Sequence, residues 1–244
     1  MFRHQKKNRK FIHNLRLATL LSLVAGIVNI TGVLSLKTLT TNVTGHFAFF
    51  AEEATKQDYF AAITFLVFTI FFLLGAFASN FMAELISRKN PNLSHIFPIL
   101  LEIIILVVVG LFGFQAEITE NAGKTMAFAL LFAMGLQNAL VTKISKSIVR
   151  TTHLTGIFTD LGIELSQLFF YKNENEIISL KTNIFLKFSI IAFFFIGCFC
   201  GGFLYSLLKM KTLLIAALFL LLAVYYDYMR LKYYLFKRKV NRNK

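Results

Sequence analysis

Residues 40–47 read Thr-Thr-Asn-Val-Thr-Gly-His-Phe, and residues 151–158 read Thr-Thr-His-Leu-Thr-Gly-Ile-Phe. A second match lies a short distance upstream of each segment. There residues 25–29, Ala-Gly-Ile-Val-Asn, align with residues 134–138, Met-Gly-Leu-Gln-Asn. Two matches in the same order predict that one structural unit occurs twice in this chain.

A third match lies downstream of the first two. Residues 75–81, Gly-Ala-Phe-Ala-Ser-Asn-Phe, resemble residues 197–203, Gly-Cys-Phe-Cys-Gly-Gly-Phe. Both segments begin with a small-x-x-x-small pattern, which lets two helices approach closely. We therefore expect the helices that carry them to pack on equivalent partners, although the pattern does not distinguish internal packing from dimerisation.

The composition is that of a membrane protein. Hydrophobic residues make up 57% of the 244 positions, charged residues make up only 16%, and 29 residues are phenylalanine. A water-soluble chain of this length could not bury so much apolar surface. Most uncharged runs approach the 20 or so residues that a helix needs to cross a bilayer. Counting the run that only Glu102 interrupts, they predict six transmembrane helices, at 17–36, 59–83, 95–116, 125–142, 188–208 and 212–226.

Half of the basic residues lie in two short tails, which are predicted to flank a single membrane domain. Residues 1–16 contain six of the 26 Lys and Arg, and residues 230–244 contain seven. With six spans and cytoplasmic termini, 21 basic residues are cytoplasmic and five lie outside. The positive-inside rule favours this orientation for the domain at 17–229. The tails are expected to contact anionic lipid headgroups rather than nucleic acid.

Each copy of the repeat contains three spans, an odd number. The copies, at residues 17–114 and 125–229, must therefore cross the membrane in opposite directions. The predicted fold is thus all-α, with six helices arranged as two inverted three-helix repeats. Inverted repeats of this kind are typical of secondary transporters, whose binding sites lie at the repeat interface.

The two Thr-Gly segments fall outside the predicted spans. One interpretation is that each begins a half-helix that re-enters the membrane, with Thr44 and Thr155 as N-caps. The N-terminus of each half-helix would then direct free N–H groups inward, while Gly45 and Gly156 allow close approach. The alternative is an amphipathic helix that lies on the membrane surface.

These motifs resemble the YoaK-like family of small bacterial inner-membrane proteins, a domain of unknown function. The resemblance is carried by Ala-Gly-x-x-Asn, Thr-x-x-Thr-Gly-His, Met-Gly-Leu-Gln-Asn-Ala and Arg-Thr-Thr-His-Leu-Thr-Gly, and it covers residues 17–208. The chain has Asn29 where many members have Asp, and His46 where many have Asn. The resemblance implies a multi-pass protein of the bacterial inner membrane and a fold, but no activity.

The candidate site residues are polar groups at the repeated segments. Polar side chains at depth in a membrane are costly and indicate functional sites by default. Amides in the spans could equally form hydrogen bonds that only hold helices together. The candidates for solute binding are Asn29, Thr41, Thr44, Gly45, His46, Gln137, Asn138, Thr152, Thr155 and Gly156. For proton coupling they are Glu102, Asp160 and Glu164.

The leading functional hypothesis is a secondary transporter or permease for a small polar solute, anionic solutes included. No Walker motif indicates ATP drive, and no Gly-x-Ser-x-Gly or His-Glu-x-x-His motif indicates a hydrolase. We expect no enzymatic activity, no metal and no cofactor. A structural or regulatory membrane protein is the alternative, and an intramembrane enzyme is less favoured.

Overall fold

The computed structural model describes residues 11–88, 90, 93–115 and 119–240. The described residues form helices and loops, without a strand. The helices are α1 (Phe11–Leu36), α2 (Val43–Thr55), α3 (Tyr59–Ser87), α4 (Ile96–Gln115), α5 (Glu120–Ser145), α6 (Leu154–Gln167), α7 (Glu174–Leu208) and α8 (Thr212–Val240), with a 3₁₀ turn at Lys209–Lys211 before α8.

Five stretches are long and apolar enough to cross a membrane: Phe11–Leu36, Tyr59–Ser87, Ile96–Gly113, Glu120–Ser145 and Glu174–Met229. Many large apolar side chains of these helices are exposed on the outside of the bundle. In a bilayer such side chains contact lipid, so their exposure carries no penalty. The chain is a helical membrane protein of the multi-pass type.

The last of the five stretches, 56 residues long, contains a turn. α7 ends at Leu208, and Lys209 has a φ angle of 51°, which interrupts the helix. The 3₁₀ turn at Lys209–Lys211 then leads into α8. Because α7 and α8 both pack on α1, the chain changes direction at this turn.

The helices pack in pairs that repeat within the chain. α1 packs on α7 and α3 on α5; α2 packs on α3 and α6 on α7; α4 packs on α5 and α8 on α1. If α1–α4 are exchanged with α5–α8, each of these pairs is converted into its counterpart. Two further pairs, α1 with α5 and α4 with α8, are each converted into themselves. The contacts among the described helices are therefore those of a two-fold internal repeat.

The glycines of the sequence repeat make the closest helix contacts. A Cβ atom on Gly26 of α1 would lie 3.0 Å from the Cα atom of Gly197 in α7. The equivalent contact joins α5 to α3, where a Cβ atom on Gly135 would lie 3.0 Å from the Ala76 nitrogen. Gly75 of α3 in turn lies against the α5 backbone. The small-residue patterns thus serve internal packing on equivalent partners, as the sequence led us to expect.

α1 and α5 also end at equivalent positions. Lys37 follows α1 with a φ angle of 53°, and Lys146 follows α5 with a φ angle of 57°. At α5 the Lys146 N–H donates to the carbonyls of Thr142 and Lys143, which closes the last turn. Both helices therefore stop abruptly, and the chain leaves each of them to form the Thr-Gly segment.

Of the helices predicted from uncharged runs, all but α4 extend beyond the run. α1 begins at Phe11, so part of the predicted N-terminal tail is helical, and α8 continues through Val240 into the predicted C-terminal tail. α7 begins at Glu174, fourteen residues before the apolar run at Phe188. Basic residues at 1–10, 89 and 241–244 lie outside the described residues.

Candidate functional site

Asn29 ties the first Thr-Gly segment to α1. Its Oδ1 atom accepts hydrogen bonds from the Thr40 N–H at 3.2 Å, the Thr41 N–H at 3.3 Å and the Thr41 hydroxyl at 3.0 Å. These bonds satisfy backbone groups of a segment that has left the helix. The side-chain amide of Asn29 in α1 therefore fixes the position of the first Thr-Gly segment.

α2 and α6 begin two residues earlier than predicted, so Thr44 and Thr155 are not the N-caps. α2 is capped by Asn42, whose Oδ1 atom accepts from the Gly45 N–H at 3.1 Å. His153 occupies the cap position of α6, but its side chain makes no capping hydrogen bond. Each threonine lies within the first turn of its helix. Its backbone N–H is therefore one of those that have no acceptor within the helix.

A cavity with a volume of about 740 Å³ lies between the two Thr-Gly segments. Residues from α1, α3, α5 and α7 complete its wall. Apart from Leu39, its lining residues form pairs related by the repeat: Asn29 and Asn138, Thr41 and Thr152, Asn42 and His153, Val43 and Leu154, Thr44 and Thr155, Gly45 and Gly156, Ala48 and Thr159, and Phe72 and Phe194. The cavity is thus built from matching positions of the two halves.

The lining is polar without carrying a formal charge. It contains no Asp, Glu, Lys or Arg, and His153 is its single ionisable side chain. Amides and hydroxyls supply donors and acceptors, while Phe72 and Phe194 supply apolar surface. The first turn of α6 adds backbone N–H groups that the His153 side chain does not cap. Such a surface suits a small molecule that both accepts hydrogen bonds and makes apolar contacts.

The two halves of the cavity differ at their matching amides. Asn29 Oδ1 accepts three hydrogen bonds, whereas Asn138 Oδ1 is buried and has no hydrogen-bond partner among the described residues. A buried carbonyl oxygen without a partner is energetically costly. The asparagine oxygen in the second half of the cavity therefore lacks the hydrogen bonds that its counterpart in the first half has.

Eight of the ten candidate residues for solute binding line this cavity. They are Asn29, Thr41, Thr44, Gly45, Asn138, Thr152, Thr155 and Gly156. The structure thus brings together, in one place, residues that are more than one hundred positions apart in the chain.

The remaining two candidates, His46 and Gln137, do not line the cavity. His46 is buried in α2, where its Nε2 atom lies 2.8 Å from the Leu39 carbonyl oxygen. Because a carbonyl can only accept, Nε2 carries a proton. The imidazole also packs against Phe65 and Phe68, with ring centroids 6.0 and 5.2 Å away. Gln137 is fully buried and donates to the Leu21 carbonyl at 3.0 Å, which joins α5 to α1.

The three candidates for proton coupling also lie away from the cavity. Glu102 is 1% exposed in α4, and its Oε1 atom has no hydrogen-bond partner in the described part of the chain. Asp160 and Glu164 are in α6 and both reach Lys187 of α7, at 3.8 and 2.5 Å.

Sequence reasoning missed several lining residues, and one signal could have found two of them. Phe72 and Phe194 precede Gly75 and Gly197 by three positions, so extending the third sequence match upstream would have paired them. Asn42 and His153 were within the quoted match, but they differ in type and so gave no repeated signal.

The chain matches the family model described as protein of unknown function (DUF1275) over residues 17–226. Because this match covers most of its length, the chain belongs to that family, in agreement with the YoaK-like resemblance. Comparison with curated proteins and with solved structures gave no match.

Proposed function

We propose that this DUF1275 member is a secondary transporter or permease for a small polar solute, anionic solutes included, that binds in the cavity between the Thr-Gly segments. The observation that carries the proposal is the pairing of the cavity wall, in which matching residues of two repeats meet. Secondary transporters commonly place their sites at such an interface. The volume of about 740 Å³ falls within the range of about 300–1,000 Å³ of small-molecule sites.

The proposed topology has six spans, α1, α3, α4, α5, α7 and α8, with both termini in the cytoplasm of a bacterial cell. The stretch Glu174–Met229 counts as two spans because its 56 residues far exceed the 20 or so needed for one crossing. The turn at Lys209–Lys211 supplies the reversal between them. Three spans in each repeat then make the repeats inverted, and α2 and α6 are proposed to re-enter the membrane from opposite faces.

The preference for a solute rich in acceptor groups rests on the half-helix N-termini. A helix N-terminus carries a partial positive charge and free N–H groups. Thr155 and Gly156 in the first turn of α6 line the cavity, and no capping side chain occupies their N–H groups. Since the lining has no cationic Lys or Arg, the cavity accommodates neutral acceptors as well as anions.

Coupling to protons is proposed for Glu102 rather than for the α6 carboxylates. Glu102 is buried without an ionic partner among the described residues, so protonation can change its charge without breaking an ion pair. Asp160 and Glu164 are instead engaged by Lys187.

Solute flux into liposomes that contain the purified full-length protein tests the proposal. Stopped-flow light scattering reports volume changes without a labelled substrate, so formate, acetate, nitrate, urea and glycerol can be compared in turn. We expect at least one solute to enter faster than into protein-free liposomes. Bilayer-like rates for all of them, together with no thermal stabilisation by any, would instead favour a structural or regulatory protein without turnover.

A further inference from the structure

We propose that Lys187 is a positioning residue that holds the half-helix α6 in place as one wall of the cavity. Lys187 lies in α7 and acts through Asp160 and Glu164 of α6. The inference rests on the cavity of the proposed function, but its test measures the position of α6 rather than flux. Failure of one can therefore be distinguished from failure of the other.

The contact is a three-residue ion cluster at the edge of the bundle. The Lys187 Nζ atom lies 2.5 Å from a Glu164 carboxylate oxygen and 3.8 Å from an Asp160 oxygen. The Lys187 and Glu164 side chains are 19% and 14% exposed, whereas that of Asp160 is 61% exposed. A charge pair with this little exposure resists screening, and removal of one partner leaves the other poorly solvated.

The same place in the first repeat is occupied by aromatic rings. In the register of the repeat, Asp160 corresponds to Phe49 and Lys187 to Phe65. Phe49 and Phe65 are also in contact, with ring centroids 5.3 Å apart. The equivalent half-helices are thus fastened at the same point, one by aromatic packing and the other by an ion pair.

The buried residue of each half-helix shows the same contrast. His46 is the one fully buried residue of α2, and Ile157, its counterpart, is the one fully buried residue of α6. His46 adds a hydrogen bond to the Leu39 carbonyl and two ring contacts. Ile157 can add only apolar contact.

The start of α6 also lacks the bonds that hold the start of α2. Asn42 caps α2 and Asn29 binds the segment before it, but the matching His153 and Asn138 Oδ1 make no such bonds among the described residues. With these attachments missing, the Lys187 cluster is the main polar attachment of α6 to the bundle. Because Thr155 and Thr159 line the cavity from α6, this cluster determines where that wall lies.

The test measures thiol accessibility at equivalent positions of the two half-helices. Cys198 and Cys200 are first replaced by alanine, and Thr155→Cys or Thr44→Cys is then introduced into the full chain in proteoliposomes. A membrane-impermeant maleimide is the probe. With Lys187→Gln, we expect labelling at position 155 to accelerate roughly tenfold as α6 detaches more often, while labelling at position 44 is unchanged.

Two variants distinguish the proposed role of Lys187 from a general loss of stability. Lys56→Gln removes the exposed contacts of Lys56 with Glu52 and Glu53 on α2, and it should change neither rate. The charge exchange Lys187→Glu with Glu164→Lys should restore slow labelling at position 155.

The outcomes separate cleanly. Unchanged labelling at position 155 in Lys187→Gln, or equal acceleration at positions 44 and 155, overturns the proposal. If Lys187→Gln does not yield folded protein, the double variant Asp160→Asn with Glu164→Gln removes the same cluster from the α6 side and is judged by the same two rates.

Discussion

Asn29 and Asn138 occupy matching positions in the wall of the cavity, yet their side-chain oxygens have different surroundings. Asn29 Oδ1 accepts three hydrogen bonds from Thr40 and Thr41, while Asn138 Oδ1 has no partner among the described residues. Identical residues in a repeat thus serve different purposes: one fixes the backbone, and the other leaves an acceptor without a bond.

Substitution of the two asparagines should therefore have unequal effects on stability. Asn29→Ala leaves the backbone N–H groups of Thr40 and Thr41 without an acceptor, and we expect it to destabilise the fold by about 2–3 kcal/mol. Asn138→Ala removes an unsatisfied oxygen and should cost less than about 1 kcal/mol. Thermal or denaturant unfolding in mild detergent, followed by circular dichroism, measures both. Equal losses would contradict the asymmetry.

The close contact between α1 and α7 predicts that Gly26 tolerates no side chain. A Cβ atom there would lie 2.8 Å from the backbone nitrogen of Cys198, and backbone cannot rotate away. Gly26→Ala should destabilise the protein by several kcal/mol, on the order of other overpacked core sites. Gly162→Ala is the matched control, since a Cβ atom in that part of α6 meets nothing within 4 Å. It should be neutral or stabilise by up to about 1 kcal/mol through helix propensity.

Larger side chains at the two half-helix glycines should block the proposed flux. A Cβ atom on Gly156 would lie 2.5 Å from the His153 ring, and one on Gly45 would lie 3.2 Å from the Asn42 amide. Gly45→Val and Gly156→Val should therefore distort the cavity wall and abolish solute-driven light scattering while leaving membrane insertion intact. Gly162→Val is the control: Gly162 lies in α6, as Gly156 does, but it does not line the cavity, so this variant should retain flux. Normal flux in both cavity variants would place the site elsewhere.

The proposed topology is tested by reporter fusions after residues 60, 120 and 244. With six spans and cytoplasmic termini, fusions at 60 and 120 should report an extracytoplasmic location, and the fusion at 244 a cytoplasmic one. An alkaline phosphatase and a green fluorescent protein at each position give opposite signals. An extracytoplasmic C-terminus would reduce the number of spans to an odd value and remove the inverted arrangement.

Local sequence patterns were sufficient to predict most of the helices but not how the half-helices are attached. Uncharged runs predicted the start of α3 at Tyr59 and the end of α7 at Leu208, because the side chains of a helix in lipid are mostly apolar. The same criterion missed the first half of α7, where Lys187 interrupts the run. That lysine is neutralised by carboxylates of α6, a long-range contact that no local pattern contains.

Register between the repeats was the more informative signal for the site. Eight candidate residues that line the cavity came from aligned positions, because related units place matching residues at matching points. His46 became a candidate for the same reason, but it does not line the cavity. It lies beside Thr44 and Gly45 in sequence, but a helix turns about 100° per residue, and this directs His46 toward Phe65 and Phe68 instead of the cavity.

The unequal fastening of α2 and α6 has a thermodynamic consequence. Two conformations related by exchange of the repeats would have equal free energies only if both halves were held by the same interactions. Here rings hold one half and charges hold the other, so in the proposed transporter the two conformations would differ in energy and one would predominate at rest. A carrier built this way loads faster from one face than from the other. It still cannot change the final distribution of an uncoupled solute, because that distribution depends only on the solute's own electrochemical gradient.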